Sequence, residues 1–102
     1  MSASPVTTEE LAAHIARTQA IVSAKRNNHS VGFTVGPRYF RVFTTLTTST
    51  SGSRDAHHFV DRATGDILKA DSWKAPSPIV RGNIRQDNLE AAITCYGARY
   101  SR

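Results

Sequence analysis

The sequence is short of cysteine, of acidic residues and of long apolar runs, and each shortage excludes a class of protein. A single cysteine, Cys95, excludes an internal disulfide framework and a zinc site built from several cysteines. No apolar run approaches the roughly 18 residues that a membrane-spanning helix needs. The N-terminus has neither the basic nor the apolar region of a secretory signal. We therefore expect a protein of a reducing cytoplasm that does not enter a membrane.

Length and composition indicate one small globular domain. A chain of 102 residues has room for one modest core. A hydrophobic share of 39 % is too high for a disordered chain. We predict a single domain over residues 1–102, with flexible ends at residues 1–6 and 98–102.

The shortage of acidic residues leaves a basic chain. The chain has 13 Lys and Arg against 8 Asp and Glu, for a net charge of +5, and ten of the cations are Arg. Guanidinium groups bind phosphate oxygens in pairs and stack on bases, which favours nucleic acid as a partner. A GC-rich coding sequence also enriches Arg, so charge alone leaves a merely solvated basic surface as the alternative.

An amphipathic helix is predicted from Thr7 to about residue 26. Thr7 and Glu10 have the spacing of a capping box, in which each side chain bonds the other residue's backbone N–H. Apolar positions then recur at helical spacing and form one stripe, at Leu11, Ile15, Thr18 and Val22.

Four strands are predicted between this helix and residue 70. They cover residues 30–35, 38–47, 56–61 and 66–70, which are rich in β-branched and aromatic side chains. Residues 62–65 are predicted to form a hairpin loop with Gly65 at a positive φ. The Ser- and Thr-rich residues 48–54 are predicted to form a mobile loop tip.

A second helix is predicted after the proline-rich segment 72–78, which must be extended. Leu89, Ile93 and Tyr96 form its apolar stripe, and Gly97 ends it. The order α-β-β-β-β-α predicts an α+β fold, with an antiparallel sheet of three to four strands and two helices packed on one face.

No familiar catalytic constellation is present. Neighbouring residues on a strand point to opposite faces, so His57 and His58 are interpreted as ordinary, partly exposed histidines rather than as metal ligands. Cys95 is interpreted as a small buried residue rather than as a nucleophile. We predict no catalytic residue, no metal site and no cofactor. A small hydrolase that uses His57 or His58 is the weakest alternative.

Basic residues interleaved with aromatic ones on strand 38–47 are the strongest functional candidates. Tyr39, Arg41 and Phe43 share one face of this strand, and such a face can stack bases and neutralise phosphates. The alternative is that the rings pack under a helix and the arginines form a solvated rim. The predicted nucleic-acid-binding residues are Arg38, Tyr39, Arg41, Arg54, Arg62, Lys69, Lys74, Arg81 and Arg85.

The segment from Phe59 to Ile84 carries a distinctive series of short motifs. In order, they read Phe-Val-Asp, Thr-Gly-Asp, Lys-Ala, Trp-Lys-Ala-Pro and Arg-Gly-Asn. In this series the segment resembles small uncharacterised proteins of tailed bacteriophages and environmental viral sequences. The resemblance implies a phage or viral origin and a place in the cytoplasm of the infected cell. It implies no function and no site residue.

The sequence therefore predicts a small, non-catalytic protein that binds nucleic acid, DNA in preference to RNA, through a basic and aromatic surface. The alternative is a protein-interaction module that binds a host factor or self-associates through an exposed strand edge. Tyr39, Phe43 and residues 44–53 would then form the contact. The oligomeric state is left open.

Overall fold

The structure, a computed structural model, describes residues 5–26, 28–48 and 54–98. One helix comes first, α1 (Thr8–Ser23). Five strands follow it, namely β1 (His29–Val35), β2 (Tyr39–Leu46), β3 (Arg54–Asp61), β4 (Asp66–Ala70) and β5 (Pro76–Asn83). The described chain ends with a 3₁₀ turn (Leu89–Ala91) and a short hairpin of β6 (Ile93–Thr94) and β7 (Gly97–Ala98). Most of the predicted loop tip, residues 49–53, lies outside the described residues. These residues also belong to the protein contact of the alternative function, residues 44–53, so that part of the contact is not described either.

Helix α1 begins at the predicted capping box. The Thr7 hydroxyl accepts the backbone N–H of Glu10, and the Glu10 carboxylate accepts that of Thr7, each at 3.1 Å. Ile15, predicted to lie in the apolar stripe, is only half-buried, and the fourth buried position is taken by His14. The buried residues of the helix are Leu11, His14, Thr18 and Val22.

The five strands form one antiparallel meander in chain order. The four predicted strands are confirmed to within a residue or two. The predicted hairpin loop is also confirmed, since Gly65 has φ +82° and its N–H bonds the carbonyl of Asp61 at 2.8 Å. Short connections leave each strand beside its chain neighbour, which is why the sheet has this simple order.

The predicted fold class is wrong. Instead of two helices on a sheet of three to four strands, the chain has one helix, a five-stranded sheet and a two-stranded sheet, and is therefore mostly β. One source of the error is residues 76–83, which form strand β5 of the sheet, whereas only an extended segment over residues 72–78 was predicted there. Pro76 and Pro78 are tolerated there because β5 is an edge strand and need not donate on both sides.

The other source of the error is the predicted second helix, which is replaced by the 3₁₀ turn and the β6–β7 hairpin. Helical spacing would bury Tyr96, yet Tyr96 is 76 % exposed while Ala98 is buried. The hairpin passes very close to β3, because a Cβ on Gly97 would lie 2.8 Å from the His57 carbonyl oxygen. Gly97 therefore allows two backbones to pass close to each other, and it does not end a helix.

The hydrophobic core lies on one face of the five-stranded sheet. The sheet contributes Phe40, Val42, Val60 and Ile67, and a layer made of α1 and residues 84–98 covers them. We call the opposite face of the sheet the open face. On β2 the open face carries the four odd-numbered residues, which are all half-buried, namely Tyr39, Arg41, Phe43 and Thr45.

The chain ends that were predicted to be flexible lie mostly outside the described residues. Two residues of these ends, Val6 and Ala98, are fixed by contacts with the rest of the protein. The Val6 N–H donates to the Arg62 carbonyl at 2.8 Å, and Ala98 is buried within β7. Across residues 5–26, 28–48 and 54–98, no helix has the length and apolar character required to cross a membrane.

Candidate functional site

Arg41 occupies the centre of the open face. Directly opposite it on the neighbouring strands are Thr34 of β1 and Phe59 of β3, and residues opposite each other in a ladder share one face. Arg41 Nη1 donates to the Thr34 hydroxyl at 2.9 Å, and its Nε donates to the carbonyl of Trp73 at 2.7 Å. The guanidinium lies 4.5 Å from the centre of the Trp73 ring. Arg41 therefore fixes the turn at residues 71–75 onto the sheet.

The two aromatic rings that flank Arg41 on β2 each contact the guanidinium of another arginine. The guanidinium of Arg38 lies 5.3 Å from the Tyr39 ring centre, and that of Arg54 lies 4.7 Å from the Phe43 ring centre. Such cation–π contacts stabilise the guanidinium in one orientation and leave its second face and its N–H groups available. The rings act as platforms for arginines, which differs from the predicted direct stacking of bases on the rings.

A groove of about 390 Å³ lies on this face between the β1–β2 turn and the turn at 71–75. Phe59 forms part of its lining, together with the aromatic residue Tyr39. Three cations line it as well, Arg38, Arg41 and Lys74. With Arg54 on the same face, the structure brings together five of the nine predicted site residues.

Two of the other predicted residues lie on the core side of the sheet. The guanidinium of Arg62 lies 5.4 Å from the Phe40 ring centre, and its Nη1 donates to the Gly36 carbonyl at 2.6 Å. Lys69 pairs with His58 across β3 and β4, so it shares the face of His58 and not that of Arg41.

The last two predicted residues lie apart from the groove. Arg81 is in β5, three strands away from β2, which corresponds to about 14 Å. Arg85 forms an ion pair with Glu10 at 2.6 Å and donates to the Thr64 carbonyl at 3.2 Å. The Arg85 hydrogen bond lowers the pKa of Glu10 to about 2. This pair ties α1 to the chain after β5.

Replacing Arg41 with Ala is expected to release Trp73 from the open face. The change removes two hydrogen bonds, to the Thr34 hydroxyl and to the Trp73 carbonyl, and the cation–π contact with Trp73. It should lower the free energy of unfolding by about 2–3 kcal/mol. Trp73 is the only tryptophan, so its fluorescence reports the turn directly. We expect a red-shifted emission and easier quenching by iodide. The control is Arg38→Ala, which removes a guanidinium from Tyr39 instead; unchanged Trp73 emission in Arg41→Ala would contradict this role.

A β-bulge in β3 turns His57 and His58 toward the same side. Val42 pairs with His58 and Phe43 pairs with Ala56, so His57 is an extra residue without a partner on β2. Both histidines are buried, with 3 % and 0 % of their surface exposed. Their interpretation as partly exposed residues on opposite faces is wrong, because the bulge interrupts the alternation on which it rested.

Three buried imidazoles form what we call the histidine chain, made of His57, His58 and His14. His57 Nδ1 lies 2.7 Å from His58 Nδ1, and His58 Nε2 lies 2.8 Å from His14 Nε2. At the other end, His57 Nε2 lies 2.8 Å from the carbonyl oxygen of Thr94. The chain thus joins α1, β3 and β6 through the core.

The Thr94 carbonyl fixes the position of every proton in the histidine chain. A carbonyl only accepts, so His57 donates from Nε2 and accepts at Nδ1. His58 must then donate from Nδ1 and accept at Nε2, and His14 must donate from Nε2. His14 Nδ1 is left as a buried acceptor with no partner among the described residues.

Burial keeps the three imidazoles neutral. Desolvation lowers the pKa of His14 and that of His57 from 6.5 to about 4, and it lowers the pKa of His58 well below 6.5. Nearby positive charge acts in the same direction, from Arg17 on His14 and from Arg26 on His57. The neutral forms are the ones that the hydrogen-bond pattern requires.

The His57 end of the histidine chain offers no free ring nitrogen to a ligand. A cavity of about 480 Å³ lies beside His57, lined also by Thr94 and Tyr96. Both ring nitrogens of His57 are already bonded, to His58 and to Thr94. Within the part of the chain that the structure describes, no three His, Cys, Asp or Glu residues are placed to hold a metal ion. We interpret the histidine chain as a polar element of the core.

Sequence reasoning did not place His14 in the core although a signal was present. His14 lies three residues after Leu11 and four before Thr18, so it falls on the buried side of α1 by spacing alone. A histidine on such a stripe needs buried partners. The pair His57 and His58 could supply such partners, but strand alternation predicts that the two side chains lie on opposite faces of the sheet.

Comparison with known proteins gives a family but no activity. The sequence model of a family described as a family of unknown function (DUF7717) matches residues 2–98. No curated protein and no solved structure matches the chain significantly.

Proposed function

The chain belongs to this family of unknown function, and we propose that it binds nucleic acid through the open face of its sheet. The observation that carries the proposal is the groove of about 390 Å³ in which Arg38, Arg41 and Lys74 meet Tyr39. Cations of this kind bind phosphates, and their planar guanidinium groups stack on bases.

A single strand fits this surface better than a duplex. Reading a duplex requires an element that enters a groove, whereas an open sheet face can accept splayed bases and track one backbone. Phosphates would contact Arg38, Arg54 and Lys74. Arg41 would keep the turn at residues 71–75 in place on the sheet. A carboxylate, Asp61, lies opposite Tyr39, but its Oδ1 accepts the backbone N–H of Ala63 at 2.8 Å.

We further propose DNA as the nucleic acid and the cytoplasm of an infected cell as the place of action. The second part rests on the resemblance of residues 59–84 to phage proteins. The described surface does not contain a feature that selects for or against a 2′-hydroxyl, so both DNA and RNA strands belong in the binding experiment.

Removing Lys74 is expected to weaken binding of a labelled single strand about 3- to 10-fold and to reduce the salt dependence by about one released counterion. The wild-type protein should release about two to three counterions in a log–log plot of affinity against salt. The measurement is fluorescence anisotropy with single- and double-stranded DNA and RNA over a salt series.

The matched control is Lys25→Gln, which removes the same charge from an exposed position just after α1. If Lys25→Gln and Lys74→Gln weaken binding equally, the affinity reflects net charge and not the open face. The absence of binding at low salt by a folded protein would contradict the proposal altogether.

A further inference from the structure

We propose that the groove on the open face takes up one guanine base of the bound strand, and that Arg41 recognises this base by its acceptor edge. The inference deepens the proposed nucleic-acid binding and rests on it. Two exposed cations that line the groove, Arg38 and Lys74, form what we call the rim. Three half-buried side chains form what we call the floor, namely Thr34, Tyr39 and Arg41. The rim and the floor suit different parts of a nucleotide.

Arg41 keeps a hydrogen-bond donor that no described residue uses. Its Nε donates to the Trp73 carbonyl and its Nη1 to the Thr34 hydroxyl, whereas its Nη2 has no partner among the described residues. Solvent reaches this Nη2, because the only buried and unpartnered side-chain nitrogens or oxygens of the described residues are His14 Nδ1 and Arg81 Nε. Since Arg41 lines the groove, we place this donor there, within reach of a ligand.

A second donor lies beside the first. The Thr34 hydroxyl accepts from Arg41 Nη1 at 2.9 Å, so its own proton can be donated to a ligand. Two donors side by side fit a ligand edge that carries two adjacent acceptors. Guanine has such an edge, with O6 and N7, whereas adenine and cytosine place an amino donor on the corresponding edge and thymine has a single acceptor there. The floor therefore fits guanine better than any other base.

The walls around Arg41 favour a base over a phosphate at the floor. Val35, Pro37 and Phe59 line the groove beside it, and such apolar walls match the flat faces of a base. A phosphate at this place would exchange water for apolar walls, which costs free energy. The exposed cations of the rim can bind a phosphate without that exchange. A nucleotide would therefore direct its base to the floor and its phosphate to the rim.

The guanidinium of Arg41 is fixed before any ligand arrives. It lies 4.5 Å from the centre of the Trp73 ring and 5.8 Å from that of Phe59. The hydrogen bonds from Nε and Nη1 hold it from two directions. An arginine that is already ordered loses little side-chain entropy when it binds, and its planar fork matches a pair of acceptors. Arginine bound to O6 and N7 of guanine is the commonest specific contact between proteins and bases.

Fluorescence anisotropy with a set of short labelled strands tests the inference. The reference is a thymidine strand, and three others carry one central dG, dA or dC in its place. We expect the dG strand to bind about 5- to 100-fold more tightly than the other three, which is the range that one paired base contact supplies. A strand with 7-deazaguanine, in which a carbon replaces N7, should lose most of this gain.

Thr34→Val tests the floor from the side of the protein. The change removes a donor and the hydroxyl that orients Arg41, so the gain from dG should fall by about threefold or more. The affinity for the thymidine strand should change by less than about twofold, because the cations of the rim are intact. The control is Thr8→Val, the same change at an exposed position at the start of α1. It should leave the gain unchanged, and since valine has the shape of threonine, both variants should fold.

The results separate this inference from the proposed function. Equal affinities for the dG, dA, dC and thymidine strands would mean that the protein binds nucleic acid but does not recognise guanine. A gain from dG that survives 7-deazaguanine or Thr34→Val would overturn the inference as well, because the recognition would then lie elsewhere. If a folded protein binds none of the strands at low salt, the proposed function fails and the inference fails with it.

Discussion

Acidification from pH 7 to pH 5 is expected to lower the free energy of unfolding by roughly 4–6 kcal/mol. Burial lowers the pKa of His14 and of His57 from 6.5 to about 4, and it lowers that of His58 well below 6.5. A base with a lowered pKa binds fewer protons in the folded state. Its stabilising contribution is therefore complete above about pH 6.5 and is lost as the pH falls toward 4. Each such histidine accounts for about 2 kcal/mol at pH 5.

Urea titrations at pH 7, 6 and 5 measure this effect, and the slope of stability against pH should correspond to two to three protons taken up on unfolding. The comparison is His58→Leu, which removes one imidazole of the histidine chain and should reduce the slope by about one proton. Glu10 does not interfere, because its pKa is lowered from 4.5 to about 2, so its contribution is lost only below about pH 4.5. A stability that stays constant between pH 7 and pH 5 would show that the histidine chain does not have the neutral form described here.

Replacing His58 with Leu is expected to destabilise the fold by about 3–4 kcal/mol. The leucine fills a comparable volume, but it leaves the acceptor at His57 Nδ1 buried without a partner. It also leaves the N–H of His14 Nε2 with only the longer contact to the Thr18 hydroxyl at 3.5 Å. An unsatisfied buried polar group costs about 1–3 kcal/mol. The loss is measured by urea unfolding at pH 7, where the wild-type imidazoles are neutral.

A double-mutant cycle separates the hydrogen-bonded chain from simple packing. The single variants His14→Leu and His58→Leu each leave an unpaired partner, whereas the double variant removes both ends of their shared bond. We expect the double variant to be at least about 1 kcal/mol more stable than the sum of the two losses predicts. Additive losses would mean that the 2.8 Å contact between His14 and His58 contributes nothing specific.

Much of the fold could be predicted because its signals are local. The start of α1 follows from Thr7 and Glu10, and the turn between β3 and β4 follows from Gly65. The residues after β5 could not be assigned in this way. Leu89, Ile93 and Gly97 fit a helix by spacing, but their conformation is decided by packing against β3 and α1, which are distant in the chain.

The candidate nucleic-acid surface was predictable in part for the same reason. Strand alternation places Tyr39 and Arg41 on one face, and the structure adds Lys74 to the same groove. The role of Arg41 in holding Trp73 could not be read from the sequence, because it depends on where the turn at residues 71–75 folds. The histidine chain escaped prediction because no glycine or proline marks the bulge at His57.

The bulge at His57 also determines where the sequence can change in length. Since His57 has no partner on β2, a relative that lacks one residue at this point could keep every strand pairing. Every other side chain of the sheet would then stay on the same face. Such a relative would lose only the histidine chain. A one-residue gap elsewhere in β3 would instead reverse which side chains face the core. Sequence alignments should therefore tolerate a single gap at position 57, and histidines at positions 14 and 58 should disappear together with it.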